Sequence, residues 1–219
     1  VDRPTEVMAA VGDQAVRGFA GPRMRGETRD HMLAAQEMLA FYARRFGPSP
    51  FPTLGLVVAE GETPGGHSPP GLVYLQVRPP ALRSRSLPED PSNFSDLPGF
   101  FLAHETAHQW WGEGTAPANY RERWLSEAWA QYSAALWLRE RLGEGAFRSM
   151  MDRMARWALR YDAAGPIHLG QRLGPPRPGA GRVRETAPQV DHFAAVDVHV
   201  ETRAELGAAL EARLEQLAH

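Results

Sequence analysis

Two histidines four residues apart, with a glutamate directly after the first, stand in "HETAHQWWGEG", His104 to Gly114. On an α-helix, residues four apart lie on one face, so His104 and His108 can both reach one cation. Glu105 falls about 100° around the helix from His104. It is near enough to hold a water at that cation without being a ligand itself. Two imidazoles and a neighbouring carboxylate are the logic of metal-assisted hydrolysis. Five residues alone leave two readings open: a metal site, or a satisfied histidine pair in a core beside Phe101 and Trp111.

A third ligand separates these readings. Zinc in a hydrolytic site takes three protein ligands and leaves a position for water. Glu127 follows His108 after 18 intervening residues and sits between Trp124 and Trp129 on an apolar helix. A carboxylate there is costly without a partner, and a cation supplies one. A short connection between two helices lets them pack antiparallel, which brings the first turns of the second toward the middle of the first. The chain has no cysteine, so disulfides and thiolate ligands are excluded and zinc would use His, Asp or Glu.

The pattern HExxH, 18 residues, then Glu resembles that of the M1 zinc aminopeptidases (gluzincins). "HETAHQWWG" is similar to that family's HExxHxWxG, and "WLSEAWAQY" to its WLxEGFAxY. The resemblance implies a thermolysin-like catalytic domain acting on peptides, with one Zn2+ per chain held by His104, His108 and Glu127. Glu105 is then the general base: zinc polarises the scissile carbonyl while Glu105 deprotonates water and passes the proton to the leaving amine. The similarity runs from about Leu54 to Val183. Family members carry a β-rich domain before this region and a helical domain after it, and neither fits in 219 residues. The chain therefore reads as lacking the flanking domains of a longer parent, and Val1 in place of Met reads as a processed chain or an excised piece.

The resemblance breaks at two places. The family's GxMEN motif, whose glutamate gathers the substrate's α-amine, is matched by "GGHSPPGL", Gly65 to Leu72. Gly65, Gly66, His67 and Ser68 are the candidate substrate-binding residues, with His67, Ser68 and Pro69 where the family has Met, Glu and Asn. The nearest acid is Glu62, upstream in the loop. Family members also carry a downstream tyrosine whose hydroxyl stabilises the oxyanion, an effect worth about 10²–10³ in turnover. "GPIHLGQRLG", Gly165 to Gly174, resembles what precedes it, yet no tyrosine follows Tyr161; His168, His192 and His199 are the substitutes at hand. Three readings follow: a zinc metallopeptidase of altered specificity, a zinc- and peptide-binding domain with little or no turnover, and a purely structural helical domain.

The elements that must position these residues are visible as patterns. The first 27 residues read as loop with a short strand. Arg29–Phe46 reads as a helix stopped at Gly47-Pro48. "LGLVVAE" and "GLVYLQV" read as strands joined by the loop "GETPGGHSPP". Asp96-Leu97-Pro98 resembles an N-cap with proline in the first turn, opening the helix of the two histidines. Asn119 and Glu122 have the capping-box form before the helix of Glu127, and "EGAFRSMMDRMARWALRYDAA" reads as a further helix. After the Gly/Pro-rich "GQRLGPPRPGAGR", the tail repeats Leu206, Leu210, Leu214 and Leu217 at helical spacing. The sum is an α+β fold, mostly helical with a small mixed sheet: a catalytic domain over 1–184 and an atypical helical tail over 185–219.

Composition bounds the rest. Hydrophobic residues at 43% and charged residues at 23% are the balance of a folded globular protein. A formal charge of −2 gives no attraction to nucleic acid or an anionic membrane. No apolar run approaches the roughly 20 residues of a membrane span, and no signal peptide opens the chain. Trp110, Trp124, Trp129, Trp137 and Trp157 at helical spacings read as core, not as a platform for bases. None of this identifies a compartment.

Overall fold

The computed structural model describes residues 5–10, 15–61, 65–78, 97–119 and 122–161, side chains from residue 16 to residue 160. Five strands are paired in the order β1-β2-β3-β5-β4, with β1 Thr5–Ala10, β2 Ala15–Ala20, β3 Thr53–Glu60, β4 Gly65–His67 and β5 Leu72–Val77. The pairs β2–β3 and β3–β5 are parallel, and the two outer pairs are antiparallel. Three α-helices, α1 Arg25–Phe46, α2 Phe100–Ala107 and α3 Arg123–Tyr161, and a short 3-10 helix at Pro22–Met24 complete the description. The α+β expectation with a small mixed sheet is met.

A parallel pair needs a crossover, and α1 supplies it between β2 and β3. Alternation buries Leu54, Leu56 and Val58 on β3 and Val73 and Leu75 on β5. These join Val16 and Ala20 of β2 and Met32, Ala35, Met38, Phe41 and Tyr42 of α1 in one core. That core continues into Phe100, Leu102, Ala103 and Ala107 of α2 and Ala130, Ala134 and Leu138 of α3. The Tyr42 hydroxyl donates to the Ala103 carbonyl at 2.9 Å, tying α1 to the helix of the histidines. Burial pushes the Tyr42 phenol above its usual range, which keeps it a neutral donor.

Four local expectations are corrected. The opening segment, read as loop with a short strand, forms an antiparallel strand pair, and its second strand is held between β1 and the distant β3, a partner the local pattern does not reveal. The first helix begins at Arg25, not Arg29. The histidine helix begins at Phe100: Leu97–Gly99 form a turn, and Gly99 at φ 82° keeps the preceding proline out of the helix. The loop "GETPGGHSPP" contains β4, an edge strand beside β5. Asp96 and the tail, with its leucines, lie outside the described residues.

The two expected C-terminal helices run on as α3 but are separated by a break at Gly143, φ 83° and ψ 175°. No helix among the described residues is long and apolar enough to cross a membrane. What matters for chemistry is the packing around α2. It lies against α3 on one side and touches the edge pair β4 and β5 on another.

Candidate metal centre

Helix α2 is buried nearly all round: Leu102, Ala103, His104, Glu105, Thr106 and Ala107 are all enclosed. His104 and His108 point the same way, as their spacing requires, and their Nε2 atoms lie 3.0 Å apart. Glu127, near the start of α3, brings Oε2 to 3.4 Å from His104 Nε2 and 3.3 Å from His108 Nε2. The three residues converge so that one ligand atom from each lies within 4.8 Å of the others.

Ligands about 2.0–2.1 Å from one tetrahedral zinc are spaced about 3.3 Å from each other. The observed triangle of 3.0, 3.3 and 3.4 Å matches that spacing. Two imidazoles and a carboxylate are also a donor set that zinc accepts, so the residues fit the ion. The Glu127 side chain keeps 21% of its exposure against 2% for His104, so solvent reaches the triangle from the α3 side.

Orientation of His108 comes from the turn after α2. Its Nδ1 lies 2.9 Å from the Trp111 carbonyl. A carbonyl only accepts, so Nδ1 carries the proton and Nε2 is left as a lone-pair donor. Trp111 is itself held: its Nε1 donates to Ser133 Oγ at 2.9 Å, and its ring stacks on Trp129 with centroids 5.2 Å apart. Phe46 packs edge-on against the same indole. Trp129 and Ser133 belong to the helix that carries Glu127, so that helix and the segment carrying the two histidines are pinned to each other by Trp111. Such a stacked pair adds about 0.5–1.5 kcal/mol beyond its burial.

Electrostatics follow from the same contacts. Burial opposes charge on Glu127, but the imidazoles of His104 and His108 outweigh it and hold the carboxyl well below the usual carboxylate range. Burial likewise opposes charge on His108, and the hydrogen bond and charge of Glu127 reverse that and raise its pKa. The pocket is thus organised around a carboxylate that stays ionised and awaits positive charge.

Glu105 points to the sheet edge. Ser68 donates its hydroxyl to Glu105 Oε2 at 2.5 Å, and both residues are buried. Gly66 lies flat against the same carboxylate, since a Cβ there would stand 2.5 Å from its Cδ. Of the four candidate substrate residues, Gly66 and Ser68 therefore meet Glu105. Gly65 neighbours Gln76 across the strand pair, and His67 is exposed.

One residue escaped the sequence reading. Gln109, 1% exposed, accepts from the Gly71 N–H at 2.8 Å and donates to the carbonyls of Pro69 at 3.3 Å and Leu72 at 3.2 Å. Its signal was a polar amide between His108 and the Trp110-Trp111 pair, a place where burial demands partners. Glu62, His168, His192, His199 and the segment 165–174 lie outside the described residues.

Known proteins carry the same arrangement of chain. Residues 32–169 match the model of the peptidase family M1 domain, more than half of the sequence. The human endoplasmic reticulum aminopeptidase 2 is 29% identical over 119 residues, which is 52% of this chain and 12% of that protein. The crystal structure of an M1 zinc metallopeptidase from Deinococcus radiodurans superposes with a TM-score of 0.52 at 21% identity, covering 73% of this chain and 33% of that one. A mutant of the same enzyme gives 0.51 at 20% identity over the same shares. The chain thus spans about an eighth of the curated relative and a third of these solved chains. At such identity the structures speak for the fold, and the family match speaks for descent. The chain belongs to peptidase family M1.

Proposed function

We propose that this chain is the catalytic portion of a zinc-dependent metallopeptidase, with His104, His108 and Glu127 holding one Zn2+ and Glu105 as the general base. The observation that carries the reading is the ligand triangle at zinc-like spacing, with a second buried carboxylate one residue from His104. Bound there, the ion supplies Lewis acidity to a scissile carbonyl and to water. Glu105 takes a proton from the attacking water and returns it to the leaving amine as the C–N bond breaks. The substrate is a peptide, lying along Gly65, Gly66, His67 and Ser68. Among the described residues β4 is the outermost strand on that side and touches α2, so an extended backbone can pair with it. The catalytic domain reaches residue 184, and 185–219 is a separate helical tail.

The test is metal content and turnover together. One equivalent of zinc, with hydrolysis of aminoacyl or N-blocked peptides that a chelator abolishes, is the expected result. A zinc-loaded sample without turnover, or turnover indifferent to chelator, overturns it. A second reading has its own observation: no tyrosine follows Tyr161, and Ser68 stands where the family's amine-binding glutamate would be. On that reading the domain binds zinc and peptide with little or no catalysis, and peptide affinity without hydrolysis distinguishes it. A sample without stoichiometric metal would favour a structural role instead.

A further inference from the structure

We propose that Gln109 and Ser68 are positioning residues acting in series. Gln109 fixes the Pro69–Leu72 turn, and the turn delivers the Ser68 hydroxyl that sets the direction of the Glu105 carboxylate. The inference rests on the reading of Glu105 as the base.

A primary amide offers one carbonyl and two N–H donors. Gln109 spends all of its reach on one turn, accepting from Gly71 N–H and donating to the Pro69 and Leu72 carbonyls. The plane of the amide thereby fixes where the turn sits relative to the C-terminal end of α2. Ser68 precedes Pro69, and a residue before proline is restricted to extended backbone. Fixing the turn therefore fixes the direction of the Ser68 side chain.

The carboxylate it meets needs such a guide. The last torsion of a glutamate is broad, so packing alone does not choose which oxygen faces the ligands. Ser68 engages Oε2, while Gly66 allows strand β4 to close against the carboxylate carbon. Packing would be served as well by alanine at position 68. A hydroxyl is needed only because a buried carboxylate wants a donor.

The experiment compares zinc-loaded wild type with Ser68→Ala, Ser68→Thr, Gln109→Met and the Ser68→Ala/Gln109→Met double variant. Ser68→Ala lowers kcat about 10- to 100-fold, the fold-change of a lost hydrogen bond to a charged group, with zinc stoichiometry unchanged and the larger part of the loss in kcat and not in KM. Ser68→Thr restores most of the rate. Because the two residues act in series, the double variant is no slower than the worse single variant. Multiplying effects, or a loss that falls on KM with kcat unchanged, overturn the proposal. Crystal structures of the two single variants supply an arm independent of turnover. The Glu105 carboxylate leaves its place against Gly66 if the proposal holds, and its staying put in both overturns it. A wild type without chelator-sensitive turnover overturns the proposed function, while the crystal arm still decides the positioning. Should Gln109→Met fail to fold, Ser68→Ala carries both arms.

Discussion

The two flanks of the site are built differently. On the helix flank, His104, His108 and Glu127 are held by many overlapping contacts: the α2–α3 packing, the Trp111–Trp129 stack, the Trp111–Ser133 hydrogen bond and Phe46. On the sheet flank, Ser68 and Gly66 meet α2 at Glu105, and the turn that follows Ser68 is tied to the end of that helix by one buried side chain, Gln109. The first flank carries the ionised Glu127 beside two imidazoles, the groups proposed to hold a cation. The second carries neutral groups that only orient Glu105. Redundancy is spent where an error would strand a buried charge, and economy is accepted where it would merely misdirect one.

Four changes break or sharpen that contrast. Glu127→Ala removes a ligand from the redundant flank. Zinc affinity falls on the order of 10³-fold, about a third of the ~10–16 kcal/mol such sites bind with; titration against a competing chelator reads it. Retained affinity would mean that the triangle is not the site. Glu105→Gln keeps the metal and loses the base, so turnover falls by about 10²–10⁴ while zinc content stays at wild-type level. Loss of zinc as well would make Glu105 part of the ligand set.

Gln109→Met attacks the economical flank. Three backbone groups lose a partner, and urea unfolding should show a loss of about 2–3 kcal/mol. A loss below about 0.5 kcal/mol would mean that the turn is held by something other than this amide. The gentlest probe is pH. His108 must shed its proton to bind metal, and Glu127 raises its pKa above the usual 6.5. Zinc affinity therefore begins to fall above that pH as acidity increases, by about tenfold per unit once His108 is protonated. Isothermal titration across pH 5–8 would display it, and a fall beginning only below 6.5 would contradict the proton competition.

Legibility in the sequence followed the same division. The three groups of the proposed metal site were legible, because His104 and His108 share a helical face and Glu127 is a charge among tryptophans, and the structure brings them together. Helix α1 and strands β3 and β5 were visible from their apolar periods. The pairing of β2 with β3 was not, since its hydrogen bonds come from residues more than thirty positions away and Gly18 interrupts its alternation. Ser68 was readable as a position and not as a partner of Glu105, and Gln109 was readable only as a polar amide beside two tryptophans, without its partners. Both act through the turn at Pro69–Leu72, where no period exists to betray a contact. Gly143, by contrast, was legible as the stop between two helical patterns, and the helix breaks there.

That glycine has a consequence for how the protein can change length. In an unbroken helix, one inserted residue turns everything after it by about 100°. At Gly143 the helical phase is already interrupted, and residues 140–145 are exposed. An insertion there lets the distal half of α3 choose its own rotation, while Glu127, upstream, keeps its place opposite the histidines. The break works as an expansion joint: a place to splice in a tag, a fluorophore or a new loop without moving a ligand.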